Sequence, residues 1–167
     1  MQERDLFDRF TALLPRRLAG KLPTMTATEW ISLADALDVY AALDALGLTP
    51  TEQVDVGRAV STANNGVVIT TIARLAGSVG VSPWFVMQHA HRAWLRSNRG
   101  GAIAVYKTGE KSARLEFWRV PLARSPFFVT SMRGAIAVGI EPFCERAIVT
   151  EVAGQTTAEG FALRVAW

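Results

Sequence analysis

Apolar residues recur at three- and four-residue intervals from the start of the chain to about Gly100, and at alternate positions in much of the chain beyond it. The first spacing builds the buried stripe of a helix, and the second builds one face of a half-buried strand. Phe7, Phe10 and Leu14, with Leu13 and Leu18 nearby, predict an opening helix interrupted by Pro15. Residues 24–28 are rich in turn formers and predict a linker. Ser32 opens a second helix with the stripe Leu33, Leu37, Tyr40, Leu43 and Leu46, stopped by Gly47. Thr49-Pro50-Thr51-Glu52 is a capping box with proline at the first helical position. It predicts a third helix to about Ala63, ended by Asn64-Asn65-Gly66. Ile69, Ile72, Ala73 and Ala76 give residues 67–77 the spacing of a fourth helix, despite a β-branched content that would suit a strand. Ser82-Pro83 starts a fifth, running to about Asn98 with Met87, Ala90, Ala93, Trp94 and Ser97 inward and ending at Gly100-Gly101.

Beyond Gly101 the period changes. Residues 102–108 and 114–120 alternate and join through 109–112, with Ile103 and Val105 sharing one face and Leu115 and Phe117 another. Residues 146–152 and 161–167 form a second such pair, with Phe161, Leu163, Val165 and Trp167 inward. Between the pairs, Ser125-Pro126 opens a helix to Glu141 that is apolar or small except for a polar line of Thr130, Arg133 and Glu141 beside Ala137. Gly134 and Gly139 in its interior predict close backbone approach, with Ser131, Gly134, Ala135 and Val138 as the small face against a strand. The order predicts an α+β fold. N-terminal helices precede a strand–strand–helix–strand–strand unit whose mostly antiparallel sheet carries the helix on one face. One domain, 1–167, is expected, with a helical part at 1–100 and two hairpins around one helix at 101–167.

Composition mainly adds exclusions. A chain of 167 residues that is 50% hydrophobic suits one domain. No apolar run reaches the ~20 residues of a membrane span, and the charged start predicts no secretory signal, so a cytoplasmic protein is expected. The single cysteine, Cys144, excludes an internal disulfide or a Cys-rich zinc cluster. The net charge of +3 is mild, but Arg92, Arg96, Arg99, Lys107, Lys111, Arg114, Arg119 and Arg124 crowd the middle against Glu110 and Glu116. Such a stretch is either a solvated face or a surface for an acidic partner or nucleic acid.

Catalytic chemistry finds no foothold. His89 and His91 stand two apart on a helix and share no face, so they do not ligate one metal together. There is no nucleophile elbow, no glycine-rich phosphate loop and no paired carboxylates in the C-terminal half, so an enzyme is not expected. Residues 72–82 with Val86 have the spacing of a helix-turn-helix, with Ala76 at the crossing, Gly80 in the turn, and Val81 and Val86 packing. The second helix would present Pro83, Trp84 and Phe85 where base readout needs polar groups, and Arg92, Arg96 and Arg99 reach only phosphates. DNA binding through 72–97 therefore stands as an alternative, and an ordinary αα-corner uses the same residues.

Helices followed by strand–strand–helix–strand–strand form a layout that resembles the fold shared by haem-nitric-oxide-binding domains and vinyl-4-reductase (4VR) small-molecule sensor domains. Residues Arg92-Ala93-Trp94, Arg99-Gly100-Gly101, 121–126, Phe128, Arg133-Gly134 and Val165-Ala166-Trp167 are similar to a paralogous myxobacterial family of unknown function. The resemblance implies binding rather than catalysis, in a buried pocket between helices and sheet, with the response passed to a partner. For haem it implies an axial histidine, here His89, and a Tyr-x-Ser-x-Arg triplet on the propionates. The nearest match, Tyr106-Lys107-Thr108-Gly109-Glu110, places an acid where the arginine belongs. Cys144 alone does not make the cysteine metal site of 4VR sensors. The expectation is therefore no metal and no cofactor, with haem disfavoured and a haem gas sensor kept as the further alternative.

The leading expectation is a non-enzymatic regulatory or sensor domain that binds a small apolar ligand, a protein partner or both, with a homodimer as one route to an output. Trp94, Tyr106, Phe117, Trp118, Phe128, Met132 and Arg133 are the candidate ligand residues. Aromatics at these spacings equally fill an ordinary core. Arg133 is the more pointed candidate, because a guanidinium on a mostly buried helix must find an acid or carbonyls. Glu141 lies two turns away, too far for pairing along the helix, which leaves a strand residue, a ligand carboxylate or a second subunit.

Overall fold

The computed structural model describes the backbone of residues 2–26, 29–77 and 82–167, and the side chains within them except at 2–4 and 64–77. Helices α1 Gln2–Leu13, α2 Arg16–Ala19, α3 Leu33–Ala45, α4 Pro50–Gly77, α5 Pro83–Gln88 and α6 Ala90–Ser97 come first. Strands β1 Ala102–Gly109 and β2 Ser112–Trp118 come next, then α7 Pro126–Ile140, β3 Ile148–Glu151 and β4 Gly160–Ala166. The strands form one antiparallel sheet in the order β1-β2-β4-β3. The α+β order read from the periodicity is the one observed.

Local chemistry sets the helix starts. Ser32 Oγ accepts the Asp35 N–H at 3.0 Å, and Ser125 Oγ accepts the Phe128 N–H at 3.1 Å. Thr49 and Glu52 cap each other, the Thr49 N–H on Glu52 Oε2 at 2.7 Å and the Glu52 N–H on Thr49 Oγ1 at 3.3 Å. Strands β2 and β3 lie at 112–118 and 148–151 where 114–120 and 146–152 were expected, and two helices differ more deeply. The third and fourth helices are one, because α4 continues through Asn64-Asn65-Gly66 for 28 residues. Their low propensity weakens a helix by tenths of a kcal/mol to about 1 kcal/mol each, which packing of α4 along α7 outweighs. The fifth helix is two, broken at His89 (φ −104, ψ 3). The break shifts the helical phase, so Met87 and Trp94 are buried while Ala93 and Ser97 are exposed.

The sheet's inner face carries Leu115 opposite Leu163 and Phe117 opposite Phe161, all with at most 2% exposure. The Phe117 and Phe161 rings stack at 4.2 Å and 6°. Trp94 meets Phe117 edge-on at 5.7 Å, Phe128 meets Phe161 at 5.9 Å, and Tyr40 meets Phe128 at 5.1 Å. One aromatic cluster thus joins the sheet to α6, α7 and α3.

Helices α4 and α7 cross on two glycines. A Cβ at Gly134 would overlap the Val54 carbonyl oxygen, and one at Gly57 would overlap that of Ser131. The small face of α7 therefore lies against helix α4 rather than the strand expected for it. Gly139 has nothing within 4 Å of a built Cβ, so the close approach expected there is absent. Arg58 and Glu141 fasten the same crossing through Nη1–H to Oε2 at 2.8 Å and a second bond from Nη2 to Oε1.

The Arg58 hydrogen bonds hold the Glu141 carboxyl below the usual glutamate range, against a smaller opposing effect of burial. A depressed carboxyl stabilises the fold above its unfolded value of ~4.3, and that contribution is lost as pH falls through the lower folded value. Glu141→Gln should accordingly flatten the fall of Tm with pH below about 4.3. Thermal melts of both proteins across acid pH check this, and identical slopes would refute the coupling.

Candidate functional site

Helices α5 and α6 lie beside β1, an edge strand of the sheet, and leave a groove of 530 Å³. Trp84, Met87 and Gln88 of α5, with His91 of α6, form one wall. Ile103, Val105 and Lys107 alternate along the inward face of β1 and form the other. Trp84 is fixed in place. Its Nε1–H donates to Glu110 O at 3.1 Å, and its ring meets Trp167 edge-on at 5.0 Å. The Lys107 ammonium lies 5.4 Å from the Trp84 ring centroid, which puts a cation beside an aromatic wall.

The two histidines differ in what they can donate. His91 Nδ1 accepts the Ile103 N–H at 3.3 Å, so in the neutral ring the proton sits on Nε2. The His89 Nδ1–H donates to Phe85 O at 2.8 Å, which leaves Nε2 with the lone pair that binds a metal. His89 is exposed beside Phe85, with ring centroids 5.0 Å apart, and does not line the groove. Burial pushes the Cys144 thiol up, away from thiolate chemistry. Among the described residues no group of three or more His, Cys, Asp or Glu is placed to hold a metal, and no helix is long and apolar enough to cross a membrane.

The residues singled out from the sequence lie in different places. Trp94 is buried, with Nε1–H donating to Gly100 O at 2.8 Å, and Phe117 and Phe128 belong to the aromatic cluster. Met132 packs at the edge of the core. Tyr106 (46% exposed) and Trp118 (55%) point to the outer face of the sheet, and the Arg114 guanidinium covers the Tyr106 ring at 5.3 Å. The Arg133 Nε–H donates to Val149 O at 3.1 Å, so the strand supplies the carbonyl this guanidinium needed. Arg92 and Arg96 are exposed on α6, and Arg99 lies over the Trp30 ring at 4.7 Å. The turn of the 72–97 segment, with Gly80 and Val81, falls outside the described residues, as do the side chains of Ile72, Ala73 and Ala76.

The whole arrangement superposes on solved structures. An H-NOX protein from K. algicida, a point mutant in the Fe(II) unliganded state, matches with a TM-score of 0.65 at 10% identity, over 97% of this chain and 85% of that one. A mutant H-NOX from T. tengcongensis matches at 0.54 and 15% identity, over 98% and 91%. An IWP-051-bound H-NOX from Shewanella woodyi in the Fe(II)CO state matches at 0.54 and 10% identity, over 98% and 84%. The fold is the H-NOX fold. No protein-family model matches the chain, and no curated protein matches it in sequence.

The H-NOX likeness corrects the expectation that this chain carries no cofactor and disfavours haem. The structures it matches over nearly its full length are described in iron-bound states, and others among them concern haem distortion. The physical reason for the error lies in the strand register. Tyr106, taken for the start of the propionate triplet, alternates with Val105 and Lys107 and so falls on the outer face, while Glu110 stands in the turn after β1 with its carbonyl oxygen on the Trp84 Nε1–H. The inward positions are Ile103, Val105 and Lys107, and the last of these is a cation. Of the groups a haem needs, Lys107 offers a partner for a carboxylate, whereas His89 has a free Nε2 outside the groove and His91, on the groove wall, accepts the Ile103 N–H at Nδ1 and has its proton on Nε2.

Proposed function

We propose that this chain is a non-enzymatic sensor domain whose ligand is a planar, mainly apolar ring bearing carboxylate, held in the groove between α5–α6 and β1. The observation that carries this reading is the make-up of the groove. It offers apolar walls of Trp84, Met87, Ile103 and Val105 with the Lys107 ammonium beside them, within a fold whose solved examples include haem domains. Its 530 Å³ falls in the range of about 300–1,000 Å³ usual for small-molecule sites. The ring would lie against Trp84 and Met87 while Lys107 pairs with the carboxylate.

Haem is the member of this class associated with the fold; His89, whose Nε2 is free, stands outside the groove wall, so the groove residues would hold the ring and its carboxylate rather than its iron. When bound, haem supplies a metal centre able to take up a diatomic gas. The response would pass to a protein partner or a second copy of the chain.

Protoporphyrin IX, which lacks iron, tests the groove apart from any iron ligation. Its addition should shift the Trp84 indole and Ile103 amide signals in a nitrogen-15 correlation spectrum. Lys107→Glu should weaken binding by about tenfold or more, the worth of one charge-assisted hydrogen bond. Unmoved Trp84 and Ile103 signals would contradict the reading.

A further inference from the structure

At the opposite edge of the sheet, α4, α7 and β3 border a smaller, open cavity of 240 Å³. It explains the polar line of α7, since Arg133, Ala137 and Glu141 succeed one another at four-residue steps along its wall. Arg58 and Arg146 add two more guanidinium groups, so three positive charges meet the single acid Glu141. That acid is already engaged by both terminal nitrogens of Arg58. Arg133 spends Nε on Val149 O, and its Nη1 lies 4.0 Å from Glu151 Oε1, beyond a hydrogen bond and on an oxygen that already accepts from Thr130. Arg146 makes no side-chain hydrogen bond or ion pair among the described residues.

Among the described residues Arg146 therefore has no anion of the chain, and Arg133, ion-paired to Glu151 only at 4.0 Å, keeps N–H groups free of hydrogen bonds on the same cavity. Much of the remaining wall is apolar, including Val54 and Ile148. We propose that this cavity is a second ligand site, for a small organic acid whose carboxylate meets Arg133 and Arg146 while its apolar body lies against Val54 and Ile148. Guanidinium forks match a carboxylate in plane, and aliphatic walls favour a carbon body over a fully hydrated inorganic ion. Such a ligand would touch α4, α7 and β3 together, which ties its binding to the Gly57–Gly134 crossing. The site is independent of the groove beside β1.

Benzoate is a suitable probe, with benzamide as its uncharged counterpart and inorganic phosphate as an anion without an apolar body. Titrated into the full chain, benzoate should shift the Arg133 Nε–H and Val149 amide signals, with benzamide and phosphate each at least about tenfold weaker. Arg146→Ala, at an exposed position, should keep the wild-type Tm and weaken benzoate about tenfold. Silence toward benzoate, equal binding of benzamide, phosphate binding as tight as benzoate, or full affinity in Arg146→Ala would each overturn the proposal.

Discussion

Gly134→Leu is expected to cost the protein at least about 3 kcal/mol of stability, at the upper end of what overpacking does. The obstacle is backbone, because the first side-chain carbon would occupy the space of the Val54 carbonyl oxygen and crowd the Arg58 nitrogen at 2.9 Å. No rotamer change relieves that overlap, so α4 and α7 must separate and open the Arg58–Glu141 pair with them. Gly134→Ala regains about 1 kcal/mol of helix propensity and should still be destabilised. Gly57→Ala meets the same crossing from the other side, and the double variant should cost less than the sum of the two, since one widening serves both. Gly139→Ala has open space and should gain up to about 1 kcal/mol. Urea melts of these variants check the series. Wild-type stability in Gly134→Leu, or a penalty at Gly139 as large as that at Gly134, would mean that the helices do not cross here.

Phe117→Ala should lose about 3–5 kcal/mol, whereas Trp118→Ala, the adjacent residue, should stay within about 0.5 kcal/mol of wild type. Phe117 is 2% exposed, stacked on Phe161 and met edge-on by Trp94, so its removal leaves a cavity bordered by two strands and a helix that cannot all collapse inward. Trp118 is 55% exposed on the other face. The contrast between neighbours tests the strand register, because a shift of one position exchanges the two faces. Similar losses at both positions in thermal or urea melts would contradict it.

The parts of this fold that could be read ahead are those decided within a few residues. Ser32, Thr49 with Glu52, and Ser125 start their helices by side chains that reach only three positions along. The alternation of residues 102–108, 114–120 and 161–167 likewise carried the strands and the inner face. What escaped depends on distant partners. Asn64-Asn65-Gly66 has the composition of a stop, and nothing nearby shows that α7 will lie along α4 and keep it helical. Nothing local marks the break at His89. Gly134 implied a close approach, but the neighbour is α4 and not the expected strand, because its partner glycine, Gly57, lies far away in the chain.

The site shows the same division. Candidate ligand residues chosen for aromatic character gathered in the core or on the outer face. Lys107, Ile103 and Val105 were available as a set, since alternation places all three on one face of β1 and turns Tyr106 away from it. The triplet that begins at Tyr106 starts on the opposite face. The line of Trp84, Met87 and Gln88 was also legible as helical spacing, but its opposition to β1 is a tertiary fact.

The most direct measurement is an absorption titration of the purified chain with haemin, run beside the His89→Ala and Lys107→Glu variants. Haem held in the groove should give a saturable change in the Soret band, weakened in Lys107→Glu. His89→Ala, outside the groove wall, should bind haemin as the wild type does. A spectrum of free haemin throughout, with no change at Trp84, would contradict the account.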